Sequence, residues 1–135
     1  MNESGKAIKK LTTHYSPAKV FKKNLGGQEL QTTNLIIVHD DIDLPLGKLK
    51  IVKNRGSAGH KGVESIINNI GNKGLIRFKM GIQPIKGKPE NLQNLVIKKF
   101  TKEEQEIVNT TITKIAEALD FFIENGLEKT MNQYN

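Results

Sequence analysis

Apolar positions along the chain change period several times, and each change marks an element. Leu35-Ile36-Ile37-Val38 is a continuous apolar run, short for a helix and rich in β-branched residues, which predicts a buried strand. Leu44-Pro45-Leu46-Gly47 predicts a turn, and Lys48 to Lys53 alternates basic and apolar side chains as a half-exposed strand does. Val63, Ile66, Ile67 and Ile70 then recur at helical spacing. Ile76, Phe78, Met80 and Ile82 alternate again, predicting a third strand with one buried face and Arg77 and Lys79 on the other. Gln83 to Pro89, rich in Gly, Pro and Lys, reads as a loop. Thr101-Lys102-Glu103-Glu104 is a capping box that opens a long helix. Ile107, Thr111, Ile115, Ala118, Leu119 and Phe122 line one face of that helix, and Asn125-Gly126 stops it. The polar tail from Leu127 to Asn135 reads as one further turn or a frayed end.

At the other end, residues 1–15 carry a narrow apolar stripe of Ala7, Ile8 and Leu11, with Asn2 and Ser4 placed as helix N-caps. Pro17 closes that region and Asn24-Leu25-Gly26-Gly27 is a loop. A helix of this kind normally follows another element, so it starts too early. The order helix, strand, strand, helix, strand, helix predicts an α/β fold in which helices sandwich a mixed sheet, as a single domain over residues 1–135. Three strands leave exposed sheet edges, which a stable domain normally covers or pairs.

Charge narrows the choice of partner. The chain has 21 Lys and Arg against 14 Asp and Glu, a formal net charge of +7, which favours an anionic ligand. Aromatic residues are only 5%, against a base-stacking platform, so contact with a nucleic-acid backbone is the better expectation. No apolar run approaches membrane length, and no cysteine is present for disulfides or thiolate catalysis. Met1-Asn2-Glu3-Ser4-Gly5 lacks the apolar core of a signal peptide, and a cytoplasmic location is the expectation.

Candidate chemistry gathers between residues 35 and 67. His39, Asp40, Asp41 and Asp43 follow the first apolar run, and open α/β sheets place ligands beyond the carboxyl ends of their strands. Alternation puts His39 with Asp41, or Asp41 with Asp43, on one face, so the carboxylates do not converge as a magnesium site and no metal is expected. Ser57 lacks the elbow setting of a hydrolase nucleophile, and Gly56-Ser57-Ala58-Gly59-His60-Lys61 lacks Walker A spacing. The same glycine-rich segment enters a helix and predicts an anion cradle of backbone N–H groups. A carboxylate orienting a histidine as general base is the remaining option, with His14, His39 and His60 available. Each of the three also reads as an ordinary hydrogen-bonded surface histidine.

Five collinear segments carry a resemblance. Met1 to Ala7, Val38-His39-Asp40-Asp41-Ile42-Asp43-Leu44-Pro45-Leu46-Gly47, Gly56 to Gly62, Arg77-Phe78-Lys79-Met80-Gly81-Ile82 and Phe100 to Glu104, with the closing Asn125-Gly126-Leu127, together resemble bacterial peptidyl-tRNA hydrolase over essentially all 135 residues. The resemblance implies cleavage of the ester joining a peptide to the 3′ end of tRNA, by a histidine general base and an orienting aspartate, with no cofactor. It implies tRNA as partner and a monomer when complete. Asp40 matches the orienting aspartate, and Asn2 matches the asparagine of an MN-x-SG segment that binds substrate near the scissile ester. Lys61 stands where most members have the asparagine of a GHNG segment, exchanging a neutral donor and acceptor for a cation. Lys79 matches a basic residue that holds tRNA phosphate in an R-x-R-x-G segment, keeping charge but losing the guanidinium fork.

The family's G-x-x-N-P-G and Y-x-x-T-R-H-N segments, the second bearing the catalytic histidine, do not occur among these residues. The resemblance therefore implies the C-terminal two-thirds of the family domain, shortened at its N-terminus. It also admits a rival reading, since the family includes splicing-factor relatives: a non-catalytic RNA-binding protein on the same fold.

Overall fold

The computed structural model describes Lys6, residues 35–70, 74–84, Gly87 and residues 99–135. Lys6 is helical; the rest of the expected first helix, with Asn2, His14, Pro17 and the loop at residues 24–27, lies outside the described residues. In chain order the elements are β1 (Ile36–Pro45), β2 (Leu49–Lys53), α1 (Lys61–Ile70), β3 (Ile76–Gln83), α2 (Lys102–Asn125) and α3 (Leu127–Tyr134). The three strands form one sheet in the order β1-β3-β2. Asn54 N–H donates to Leu75 O at 3.0 Å and Gly81 N–H to Lys48 O at 2.7 Å, so residue numbers fall on β2 as they rise on β3. That pair is antiparallel. On the other side Ile76 N–H donates to Leu35 O at 3.0 Å and Leu46 N–H to Gln83 O at 2.9 Å, which runs β1 parallel to β3. The sheet is mixed, and the fold is α/β.

Two compact units divide the residues. The first comprises residues 1–36 and 53–76, the second residues 37–52 and 77–135. In the second unit, β2 buries Leu49 and Ile51 while Lys48 and Lys50 stay exposed, as its alternation predicts. Val108, Thr111, Ile115 and Ala118 are the buried stripe of α2. Phe78 on β3 is fully buried and meets Phe122 of α2 edge-on, with ring centroids 6.2 Å apart. One helix face thus covers one sheet face.

Capping is as the sequence predicts. Thr101 Oγ1 accepts from Glu104 N–H at 3.2 Å, and Thr101 N–H donates to Glu104 Oε2 at 2.9 Å. Gly126, at φ 79°, ends α2 by donating its N–H to Phe122 O, in a backbone region that only glycine enters without strain. The tail departs from expectation. It is a two-turn helix, α3, whose Thr130 is fully buried and donates to Gly126 O at 2.7 Å. Tyr134 of α3 packs edge-on against Phe121 of α2, with centroids 5.8 Å apart.

The strands depart from expectation in three places. The first continues through Pro45, so the turn is confined to Leu46 and Gly47. Its apolar run is only half covered: Val38, 49% exposed, shares a face with exposed Asp40, and that face of β1 is open there. On β3, Arg77 is 2% exposed rather than solvated: Arg77 and its neighbour Phe78 point to opposite faces and both are buried, so both faces of the strand are covered there.

In the first unit, α1 buries Val63 and Ile66, and Leu75 and Ile76 are buried beside the start of β3. Ala58 and Gly59 both adopt positive φ (51° and 80°), closing a tight turn in which His60 N–H donates to Ser57 O at 3.1 Å.

Candidate functional site

β-Strand alternation aims His39 and Asp41 to one face of β1, and Arg77 and Lys79 to one face of β3. The parallel pairing of these strands brings the two sets together. Asp41 is 8% exposed, and its Oδ2 forms an ion pair with Lys79 Nζ. Its Oδ1 accepts from Asp43 N–H at 2.8 Å, a bond from two residues ahead that ties the carboxylate to its own strand. Burial pushes the Asp41 carboxyl up, but the Lys79 ammonium, the Asp43 N–H and the charge of His39 outweigh it and hold the carboxyl below the usual carboxylate range. The same carboxylate acts on Arg77: burial draws the guanidinium down, and the charge of Asp41 opposes it.

Asp40 points the other way. It is exposed where the next residue, Asp41, is buried, and His39 Nδ1 donates to the Asp40 carbonyl oxygen at 2.5 Å. Asp43 is exposed as well. Asp40 and Asp41 therefore face apart, and among the described residues no three His, Cys, Asp or Glu side chains converge as a metal site.

Gly81 sets the approach of the two strands. A Cβ built there falls 1.9 Å from Pro45 O, so only glycine lets β1 lie this close to β3. Across the turn, Gly47 at φ 86° faces Ile107 Cγ2 of α2, which a Cβ would meet at 2.8 Å. Both glycines thus act at the C-terminal end of β1, just beyond the segment that carries Asp40 and Asp41.

The expected anion cradle has a more definite structure. His60 Nδ1 accepts from Val63 N–H at 3.2 Å, and His60 O accepts from Glu64 N–H at 2.9 Å, so this histidine caps the start of α1. Nδ1 as acceptor leaves the proton of the neutral ring on Nε2. Capping occupies one of the N–H groups that an anion was expected to use. Lys61 is exposed at the first position of α1.

The expected site residues therefore take distinct places. Asp40 is exposed on β1, Lys79 is held on β3 by Asp41, Lys61 is exposed at the start of α1, and Asn2 lies outside the described residues. Neither the pairing of Asp41 with Lys79 nor the burial of Arg77 near that carboxylate was expected. A signal for them existed: Arg77 and Lys79 stand two apart on one strand, and two cations on one covered face need a carboxylate opposite.

A mixed-sheet α/β protein with an exposed carboxylate beside a buried acid–base cluster is the class that fold and site define. The family model for peptidyl-tRNA hydrolase matches residues 1–135, and the chain belongs to that family. It is 42% identical to the peptidyl-tRNA hydrolase of Fervidobacterium nodosum over 98% of this chain and 69% of that protein. Its identity to the enzyme of Thermodesulfovibrio yellowstonii is 41%, over 100% of this chain and 65% of that protein. The fold matches a crystal structure of the peptidyl-tRNA hydrolase of Acinetobacter baumannii with a TM-score of 0.75 at 23% identity, covering 100% of this chain and 61% of that one. The chain spans about two thirds of the length of the relatives it matches.

Proposed function

We propose that this chain carries the aspartate and the RNA-binding cations of a peptidyl-tRNA hydrolase, which cleaves the ester between a peptide and the 3′ end of tRNA. The observation that carries the reading is Asp40: the family match extends over residues 1–135, and Asp40 stands exposed on β1 while its neighbour Asp41 is buried. An exposed carboxylate on a braced strand is placed to hold the imidazole of a histidine in one tautomer and raise its basicity, so that the ring takes a proton from the attacking water. Asn2 near the ester and Lys61 near phosphate complete the assignment. Ester hydrolysis by this route needs no metal and no cofactor, and a monomer in the cytoplasm suffices.

The second reading, a non-catalytic RNA-binding protein on the same fold, rests on the net charge of +7, which favours an RNA backbone without requiring chemistry. Turnover of a peptidyl-tRNA separates the two. These 135 residues should be slower by about 10²–10⁴-fold than the same residues joined to a leading strand bearing the G-x-x-N-P-G and R-H-N segments, since that is the typical contribution of a general base. Equal turnover by the two would place the base among the three histidines present. Inactivity of both, with tRNA still bound, would support the non-catalytic reading. In either reading tRNA affinity falls steeply with added salt, and salt-independent binding would remove the electrostatic basis of the proposal.

A further inference from the structure

The resemblance makes Lys79 a phosphate ligand, yet the geometry commits its charge elsewhere. Its side chain is 16% exposed and that of Asp41 is 9% exposed, and the two are ion-paired. The second Asp41 oxygen is taken by Asp43 N–H, and the buried Arg77 guanidinium lies within the field of the same carboxylate. Drawing the Lys79 ammonium out to a phosphate would leave a carboxylate in a nearly dry place without its hydrogen-bonded cation, which is costlier than any gain at a solvated phosphate. A guanidinium at this position has five N–H donors, enough to serve a carboxylate and a phosphate together; an ammonium is one compact charge, and Asp41 cancels it.

We infer that Asp41 withholds Lys79 from the RNA: in this chain the pair is a positioning device that braces β1 against β3 beside Asp40, and tRNA phosphates are held by other cations. The inference rests on the proposed binding of tRNA, and deepens it by removing one expected contact. Every phosphate contact contributes about 0.7–0.9 to the slope of log affinity against log salt, so the contact count is measurable.

The test compares tRNA binding across a salt series for the wild-type chain, Lys79→Gln, Asp41→Asn and the double variant. Lys79→Gln should leave the slope within about 0.3 of wild type, well below one contact. Asp41→Asn should steepen it by about 0.7–0.9 and raise affinity roughly tenfold at 50 mM salt, and adding Lys79→Gln should abolish both gains. A purely structural role for Asp41 would not produce a gain that depends on Lys79. The inference is overturned if Lys79→Gln alone flattens the wild-type slope by a full contact, or if a folded Asp41→Asn chain shows no gain.

A second measurement stands apart from RNA binding and from the folding of the variants. The ¹⁵N ammonium signal of Lys79 should be sheltered from exchange in the free wild-type chain and unmoved by inorganic pyrophosphate. A Lys79 ammonium that exchanges freely with water, or that shifts with pyrophosphate, overturns the inference even if Asp41→Asn does not fold. A folded wild-type chain that binds no tRNA at low salt overturns the functional reading instead, and the ammonium signal still decides the pairing.

Discussion

The side-chain amide of Asn135 pairs with both backbone groups of Ile51: Ile51 N–H donates to Asn135 Oδ1 at 2.6 Å, and Asn135 Nδ2 donates to Ile51 O at 3.1 Å. In a strand these two groups point the same way, so the amide takes the place of a neighbouring strand at the edge of β2 that pairs with no other strand among the described residues. The helix α3 that carries Asn135 to this point is anchored by buried Thr130 and by the Phe121–Tyr134 contact. A polar side chain thus covers the kind of edge that otherwise invites pairing with another chain.

Asn135→Ala should therefore cost about 1–3 kcal/mol, because it strands a buried N–H and C=O as well as removing two hydrogen bonds. Urea unfolding measures the loss, and the Ile51 amide should lose its protection from hydrogen exchange selectively. Unchanged protection at Ile51 would mean that the amide pairing does not cover the edge.

Asp41→Asn should destabilise the chain by about 3 kcal/mol, the usual result of removing one partner of a buried ion pair. The sign of the pH dependence follows from the direction of the shift. The folded carboxyl lies below its usual range, so the stability it contributes is fully present above the unfolded value of about 3.9 and is lost as pH falls through the lower folded value. Stability of the wild type should drop across that acid window more than stability of Asp41→Asn does, as thermal melts from pH 5 to pH 2 would show. Parallel curves would mean that the pair contributes no proton linkage.

Gly81→Ala should be among the most damaging single-methyl changes available, since the new Cβ meets a backbone oxygen that no side-chain rotation can move. A loss of about 3 kcal/mol or more is expected, at the upper end of overpacking costs. Gly56→Ala is the control, because nothing lies within 4 Å of the added Cβ and the residue is not at positive φ. Similar urea midpoints for the two variants would show that β1 does not press on β3 at Pro45.

Thr101→Ala removes the acceptor for Glu104 N–H and should cost about 1 kcal/mol, the typical value of an N-cap. Thr101→Ser should restore most of it, because the hydroxyl is what the cap needs. Failure of serine to restore stability would point to the threonine methyl rather than the cap.

Asp40→Asn addresses the chemistry. With the R-H-N segment present in the same chain, the substitution should lower turnover of peptidyl-tRNA far more than it lowers tRNA affinity, because an amide orients the imidazole poorly and leaves the phosphate contacts in place. Equal losses in both would make Asp40 a structural residue.

Local signals were legible where a single element contains its own reason. Thr101 and Glu104 are three residues apart on one turn, Gly126 supplies a backbone angle that other residues avoid, and the alternation of Lys48 to Lys53 states which side chains of β2 are buried. Periodicity also placed His39 and Asp41 on one face. What periodicity does not contain is the identity of the neighbour across the sheet. The order β1-β3-β2 sets β1 beside β3, and Arg77 is a buried cation there rather than the expected surface one. The same adjacency made Asp41, rather than its exposed neighbour Asp40, the partner of Lys79. Asn135 and Ile51 are separated by 84 residues, so no local pattern could announce their pairing. Composition and motif order by themselves determined the family, the basic character and the element types of this protein. Strand adjacency, and with it the charges held inside and the edge that is covered, was decided only by the tertiary structure, because long-range pairing sets which groups are desolvated together.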